Sequence, residues 1–146
     1  MSAPLYNARI LRLAASIPHH APLADAMAVA ENRSSVCGSR VKVAVRVNAD
    51  GRLEALGLDV SACALGQASA ALMASHAIGR RGEELAAARD ALTAWLAGEG
   101  ALPDWPEIEL FDAARAHVAR HASIRLPFEA VAAAVAQACA APVEAR

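Results

Sequence analysis

Between Arg40 and Val47 every second residue is valine: Val41, Val43, Val45 and Val47. Side chains alternate across a strand, so this spacing puts four branched apolar residues on one face and leaves Lys42 and Arg46 on the other. A helix would scatter the same residues around its girth. Asn48-Ala49-Asp50-Gly51 follows, and Asp-Gly readily supplies the positive φ of a tight hairpin. Leu53 to Val60 then returns as an antiparallel partner. Ahead of the pair, Met27 and Val29 alternate with alanines up to Ala30 as a weaker strand, and a polar break runs from Glu31 to Ser39. The expectation is a meander of about three strands, covered on one face and exposed on the other.

The rest reads as helix. Ile10, Leu11, Leu13 and Ile17 space a first helix over Tyr6 to Ile17, stopped by Pro18. From Ala64 the period turns helical, with Leu65, Leu72 and His76 on one face beside Ser69 and Met73, and Gly79 as the C-cap. Further helices are expected over Gly82 to Ala97, Ile108 to Val118 and Phe128 to Ala140. A Gly- and Pro-bearing loop from Gly98 to Pro106 and a non-helical hinge from His121 to Pro127 separate them. Strands first and helices afterwards mean α+β, with about five helices packed on one face of the sheet. The 146 residues are expected to form a single domain, 1–146.

Composition narrows the function classes. The chain is 56% hydrophobic, so it can bury a core, yet roughly a quarter of it is alanine and only 3% is aromatic. With a net charge of −1 and no basic stripe, it lacks the marks of a nucleic-acid binder. The most apolar stretch, Phe128 to Val143, is interrupted by Glu129, Gln137 and Pro142, so no membrane span is expected. Met1 to Leu13 lacks the basic and apolar regions of a secretory signal. Three cysteines (Cys37, Cys63 and Cys139) cannot all pair, which fits a cytoplasmic chain that keeps its thiols reduced.

Generic catalytic motifs are missing: there is no phosphate-binding glycine loop, no Gly-x-Ser-x-Gly elbow and no His-Glu-x-x-His helix. No acid–base pair or nucleophilic triad stands out, so conventional enzymatic turnover is not expected. The cysteines are the remaining chemistry. Cys37 lies beside Gly38 in the break between the first two strands, and Cys63 lies where the third strand gives way to a helix. Orphan amide groups at such a junction favour an anion. The loop and the junction can share one end of a small sheet. From spacing alone the alternative is two buried, inert thiols. His19 and His20 read as solvated loop residues, Cys139 as a helix-packing thiol, and Trp95 and Trp105 as packing for the helical layer. Arg80, Arg81, Glu83 and Glu84 read as a solvated helix start. His76 falls too far along its helix to share an ion with Cys63.

Three segments carry a resemblance: Val36-Cys37-Gly38-Ser39-Arg40-Val41, then Asp50-Gly51, then Ala62-Cys63-Ala64-Leu65-Gly66-Gln67-Ala68-Ser69-Ala70. In order and spacing they are similar to the U-type (NifU N-terminal, IscU and SufU-like) iron–sulfur cluster assembly scaffold family. That family's pattern runs Cys-Gly-Asp, a hairpin, Gly-Cys-x-(Ile/Ala)-x-x-Ala-Ser, and a third cysteine just before the last helix. Leu5-Tyr6-Asn7 and Ile10-Leu11 also look like its first helix. This chain departs at two ligand positions: the family's Asp is Ser39, and its third cysteine is Ser123. A serine hydroxyl is a poor ligand for zinc or for a cluster, whereas His121 could bring an imidazole.

The resemblance implies a scaffold or sulfur acceptor that holds a labile iron–sulfur cluster or zinc through Cys37 and Cys63, with His121, and with Ser39 and Ser123 as further candidates. Either Cys37 or Cys63 could be the sulfur acceptor. The implied partners are a cysteine desulfurase and downstream cluster acceptor proteins. The alternative is a degenerate member that binds no metal and serves as an interaction module for the assembly machinery. A reversible Cys37–Cys63 disulfide is a third reading.

Overall fold

The computed structural model describes residues 5–36 and 38–140; Cys37, residues 1–4 and residues 141–146 lie outside the described residues. Three antiparallel strands, β1 (Ala28–Arg33), β2 (Arg40–Val47) and β3 (Leu53–Ser61), form one sheet in the order β1-β2-β3. Val41, Val43, Val45 and Val47 are all fully buried. Each such burial is worth about 1.5–3 kcal/mol relative to exposure, which fixes the register of the strand.

β1 is longer than the sequence promised. It runs three residues past Ala30 into the polar break, because Glu31, Asn32 and Arg33 pair with Lys42, Val41 and Arg40. Charged side chains cost nothing there, since they stand on the outer face. Arg40 spans all three strands on that face, reaching Glu31 of β1 and Asp59 of β3. The outer face is also less open than expected. A strap at His19–Leu23 crosses it where Gly57 has no side chain; a Cβ there would lie 2.8 Å from the Ala21 carbonyl oxygen. The same strap accepts the Leu58 N–H at the His19 carbonyl, 2.9 Å away, and the Val60 N–H at His20 Nε2, 3.4 Å away.

The helices are α1 (Ala8–Ala14), α2 (Ala64–His76), α3 (Gly82–Leu96) and α4 (His121–Cys139), with a 3-10 stretch at Ile108–Ala116 and a short 3-10 turn at Val118–Arg120. The α+β expectation holds. α1 is shorter than its apolar spacing implied: Asn7 caps it by accepting the Ile10 N–H, and it stops at Ala14. α2 ends at His76, so Gly79, at φ +92°, makes the following turn rather than the cap. Ile108 to Val118 is tighter than an α-helix.

The main correction is the hinge. His121 to Pro127 is helical and forms the first two turns of α4, with Pro127 inside the helix. A mid-helix proline costs about 3 kcal/mol through its missing N–H and its clash with the carbonyl four residues earlier. Burial offsets that cost: Pro127 is itself buried, and Ile124, Leu126 and Phe128 join the hydrophobic core together with Val131 and Val135 further along α4. α4 covers the inner face of β1 and β2, and α2 and α3 pack against α4.

Candidate functional site

One end of the sheet gathers three segments far apart in sequence. The first is the loop between β1 and β2. Ser34 opens it, donating its N–H to the Ser39 carbonyl at 2.9 Å and accepting the Gly38 N–H at 3.0 Å. Gly38 has φ +72°, a conformation that favours glycine. Ser39, just before β2, is buried.

The second segment is the β3–α2 junction. Cys63 is the N-cap residue of α2, extended at φ −67° and ψ 172°, and half-buried. Its carbonyl accepts the Gln67 N–H, and Gln67 Nε2 reaches back to the Ala62 carbonyl at 2.9 Å, so the junction is closed on itself. Gly66 then lies in the first turn, where a Cβ would sit 3.3 Å from the Ser123 carbonyl oxygen. The third segment is the first turn of α4. Ser123 is buried, and its hydroxyl is 3.3 Å from that of Ser39. The two positions at which the sequence departs from the scaffold pattern therefore touch each other, beside the helix that Cys63 begins.

His121 is set differently. It is buried, and its Nε2 lies 3.1 Å from the Ala114 carbonyl oxygen and 3.0 Å from that of Arg115. Carbonyls only accept, so Nε2 carries the proton and is committed to the end of the 3-10 stretch. Among the described residues no group of three or more His, Cys, Asp and Glu side chains could hold a metal ion. The Cys37 half of the expected ligand set, and of the Cys37–Cys63 disulfide reading, lies outside the described residues.

The other candidates fall elsewhere. His19 and His20 belong to the strap and are exposed. Cys139 lies at the other end of the sheet, its sulfur 3.8 Å from the Gly51 carbonyl oxygen. His76 meets Trp105 edge to face, and Trp105 donates Nε1–H to the Leu72 carbonyl, packs on Phe128 and carries the Arg80 guanidinium over its ring. Trp95 is buried under Arg115. Two contributors went unassigned in the sequence, Gly66 and Ser69. Both sit in the motif segment after Cys63, and Ser69 donates to the Ile124 carbonyl from α2.

The architecture matches the crystal structure of a nitrogen-fixing NifU-like protein (N-terminal) from Brucella abortus. The two chains are 39% identical, with 94% of this chain and 96% of that one covered and a TM-score of 0.89. The chain belongs to the NifU-like, U-type scaffold family. A more distant match to this NifU-like chain bears on the fold alone. It is a protein from thermophilic Fervidobacterium islandicum AW-1 described as an iron–sulfur cluster assembly scaffold for the SUF system, at 19% identity over 90% of this chain and 96% of that one, with a TM-score of 0.81. No family model matches the NifU-like chain, and no curated protein does.

Proposed function

We propose that this chain is an iron–sulfur cluster assembly scaffold that accepts sulfur from a cysteine desulfurase and passes a labile cluster to acceptor proteins, with Cys37 and Cys63 as its thiolate donors. The observation that carries this reading is the convergence of the motif segments: Ser39 meets Ser123 at 3.3 Å, and Ser123 lies against Gly66 in the first turn after Cys63. Family membership through a NifU-like relative supports it independently.

The chemistry asked of the chain is modest. A cysteine thiolate attacks the outer sulfur of a donor persulfide. The donor's S–S bond breaks as a new one forms, and the donor cysteine leaves as a thiolate, with no net oxidation. Half-exposure of Cys63 at a helix start suits that attack. The soft thiolates fit iron or zinc, whereas hydroxyls do not. No side chain of an ordinary enzymatic site is required, and the role is that of an acceptor working in the cytoplasm, where thiols stay reduced.

The test is anaerobic reconstitution with ferrous iron and sulfide, alongside treatment with a desulfurase and cysteine. The reading expects iron and sulfide above background, and a mass gain of one sulfur that Cys37→Ser plus Cys63→Ser abolishes. No gain of sulfur or metal in reduced, intact protein would overturn it. The second reading, an interaction module that binds no metal, is favoured by the hydroxyl pair itself and by the engagement of His121 Nε2 with backbone. It expects desulfurase binding that survives the double cysteine substitution.

A further inference from the structure

The strap at His19–Leu23 does more than shield β3. It encloses a cavity of about 300 Å³ against the outer face of the sheet, a volume at the lower end for a ligand pocket. His20 to Pro22 form one wall, and Ala44 and Gly57 lie on the floor. Gly57 lets the strap come close enough to make that wall, since a Cβ there would lie 2.8 Å from the Ala21 carbonyl oxygen. Three side chains give the cavity its charge: Lys42, Asp59 and His20. Lys42 is the only lysine in the chain, and its ammonium makes no ion pair among the described residues. It stands directly across the β2–β3 ladder from Asp59. The two are nevertheless not joined, because Asp59 gives Oδ2 to Arg40 at 3.2 Å, while its Oδ1 accepts nothing among the described residues. Arg40 first, and then His20 and Lys42, hold the Asp59 carboxyl below its ordinary value, so all four groups crowd one patch. His20 Nε2 accepts the Val60 N–H at 3.4 Å, which puts the proton of the neutral ring on Nδ1.

We propose that the cavity under the strap binds a small zwitterion, an α-amino acid with a short aliphatic side chain. Its carboxylate pairs with Lys42 Nζ and the His20 Nδ1–H, its ammonium pairs with Asp59 Oδ1, and its side chain rests on the floor at Ala44 and Gly57. The ligand carries both charges because the cavity does. A simple anion answers Lys42 but is repelled by Asp59, a phosphate dianion most of all, and a simple amine has the converse fault. A molecule whose opposite charges flank one carbon takes the place of the ion pair that Lys42 and Asp59 do not make. The site needs neither the cysteines nor a metal, so it stands apart from the proposed scaffold function.

The full chain, labelled with carbon-13 at lysine Cε and nitrogen-15 throughout, is titrated separately with L-alanine, propionate and ethylamine. A single lysine gives a single Cε signal, so that resonance reports Lys42 without ambiguity. Each probe is raised to about 50 mM, because a few charged contacts near the surface give affinities around the millimolar range. The expected result is a saturable shift of the Lys42 signal and of the Gly57 and Asp59 amides with L-alanine. Propionate and ethylamine should each bind at least about tenfold more weakly. Lys42→Gln should weaken L-alanine by about tenfold, followed on the same amides. That side chain is exposed and unpaired among the described residues, so the variant keeps the fold, which its amide spectrum verifies. No saturable shift with L-alanine would overturn the proposal. So would propionate binding as tightly as L-alanine, or L-alanine binding Lys42→Gln as tightly as wild type.

Discussion

Ser69 donates its hydroxyl to the Ile124 carbonyl at 2.6 Å, and both residues are sealed from solvent. This bond ties the second turn of α2 to the first turn of α4, one residue beyond Ser123. Ser69→Ala removes a buried donor and should cost about 1–3 kcal/mol. The measurement is the denaturant midpoint, which falls while the slope of the transition stays constant. Amide exchange should quicken at His121 to Ser123 as well.

Gly66→Ala sets two effects against each other. Alanine is the better helix former by about 1 kcal/mol. The new methyl, however, would lie 2.7 Å from the Ala62 Cβ and 3.3 Å from the Ser123 carbonyl oxygen. Overpacking of that kind costs about 1–3 kcal/mol, so the clash wins and the variant melts lower than wild type. A higher melting temperature would mean that the junction yields more easily than its closed hydrogen bonding implies.

The Arg40–Asp59 pair gives the protein an acid-sensitive contact. The hydrogen bond from Arg40, reinforced by its charge, holds the Asp59 carboxyl below its ordinary value of 3.8. A lowered carboxylate stabilises the fold above its unfolded value, and that contribution fades as pH falls from 3.8 through the lowered value. Asp59→Asn should therefore lose stability relative to wild type above pH 3.8, with the gap closing below it. The pair is exposed, so added salt should shrink the same gap.

Trp105→Phe keeps an aromatic ring against Phe128 but removes the Nε1–H that satisfies the Leu72 carbonyl at 3.0 Å. It also weakens the stack beneath Arg80, whose guanidinium carbon lies 4.1 Å from the ring centre. The expected loss is about 1–2 kcal/mol, read by thermal unfolding followed in the far ultraviolet.

The β2–β3 hairpin was legible because one interaction dominates there: alternating valines have a single way to reach a core. β1 was half legible. Glu31, Asn32 and Arg33 form strand by pairing with β2 rather than by any pattern of their own. The start of α4 was misread for a related reason. Pro127 speaks locally for a break, while the burial of Ile124, Leu126 and Phe128 is a tertiary gain that no window of sequence displays.

At the candidate site, the positions of Ser39 and Ser123 were named through resemblance, and the structure brings them together. What composition could not disclose is the orientation of His121, whose ring is claimed by carbonyls from a 3-10 stretch that the sequence presented as ordinary helix.

The strap over β3 carries a last consequence. A three-stranded sheet has two raw borders, and each invites a stranger's backbone to extend it into fibre. On the β3 side the invitation is withdrawn, since the amides of Leu58 and Val60 are spoken for by His19 and His20. On the β1 side Glu31 and Arg33 stand charged beside the border. An alanine-rich chain of this kind can thus be crowded and still resist joining sheet edge to sheet edge.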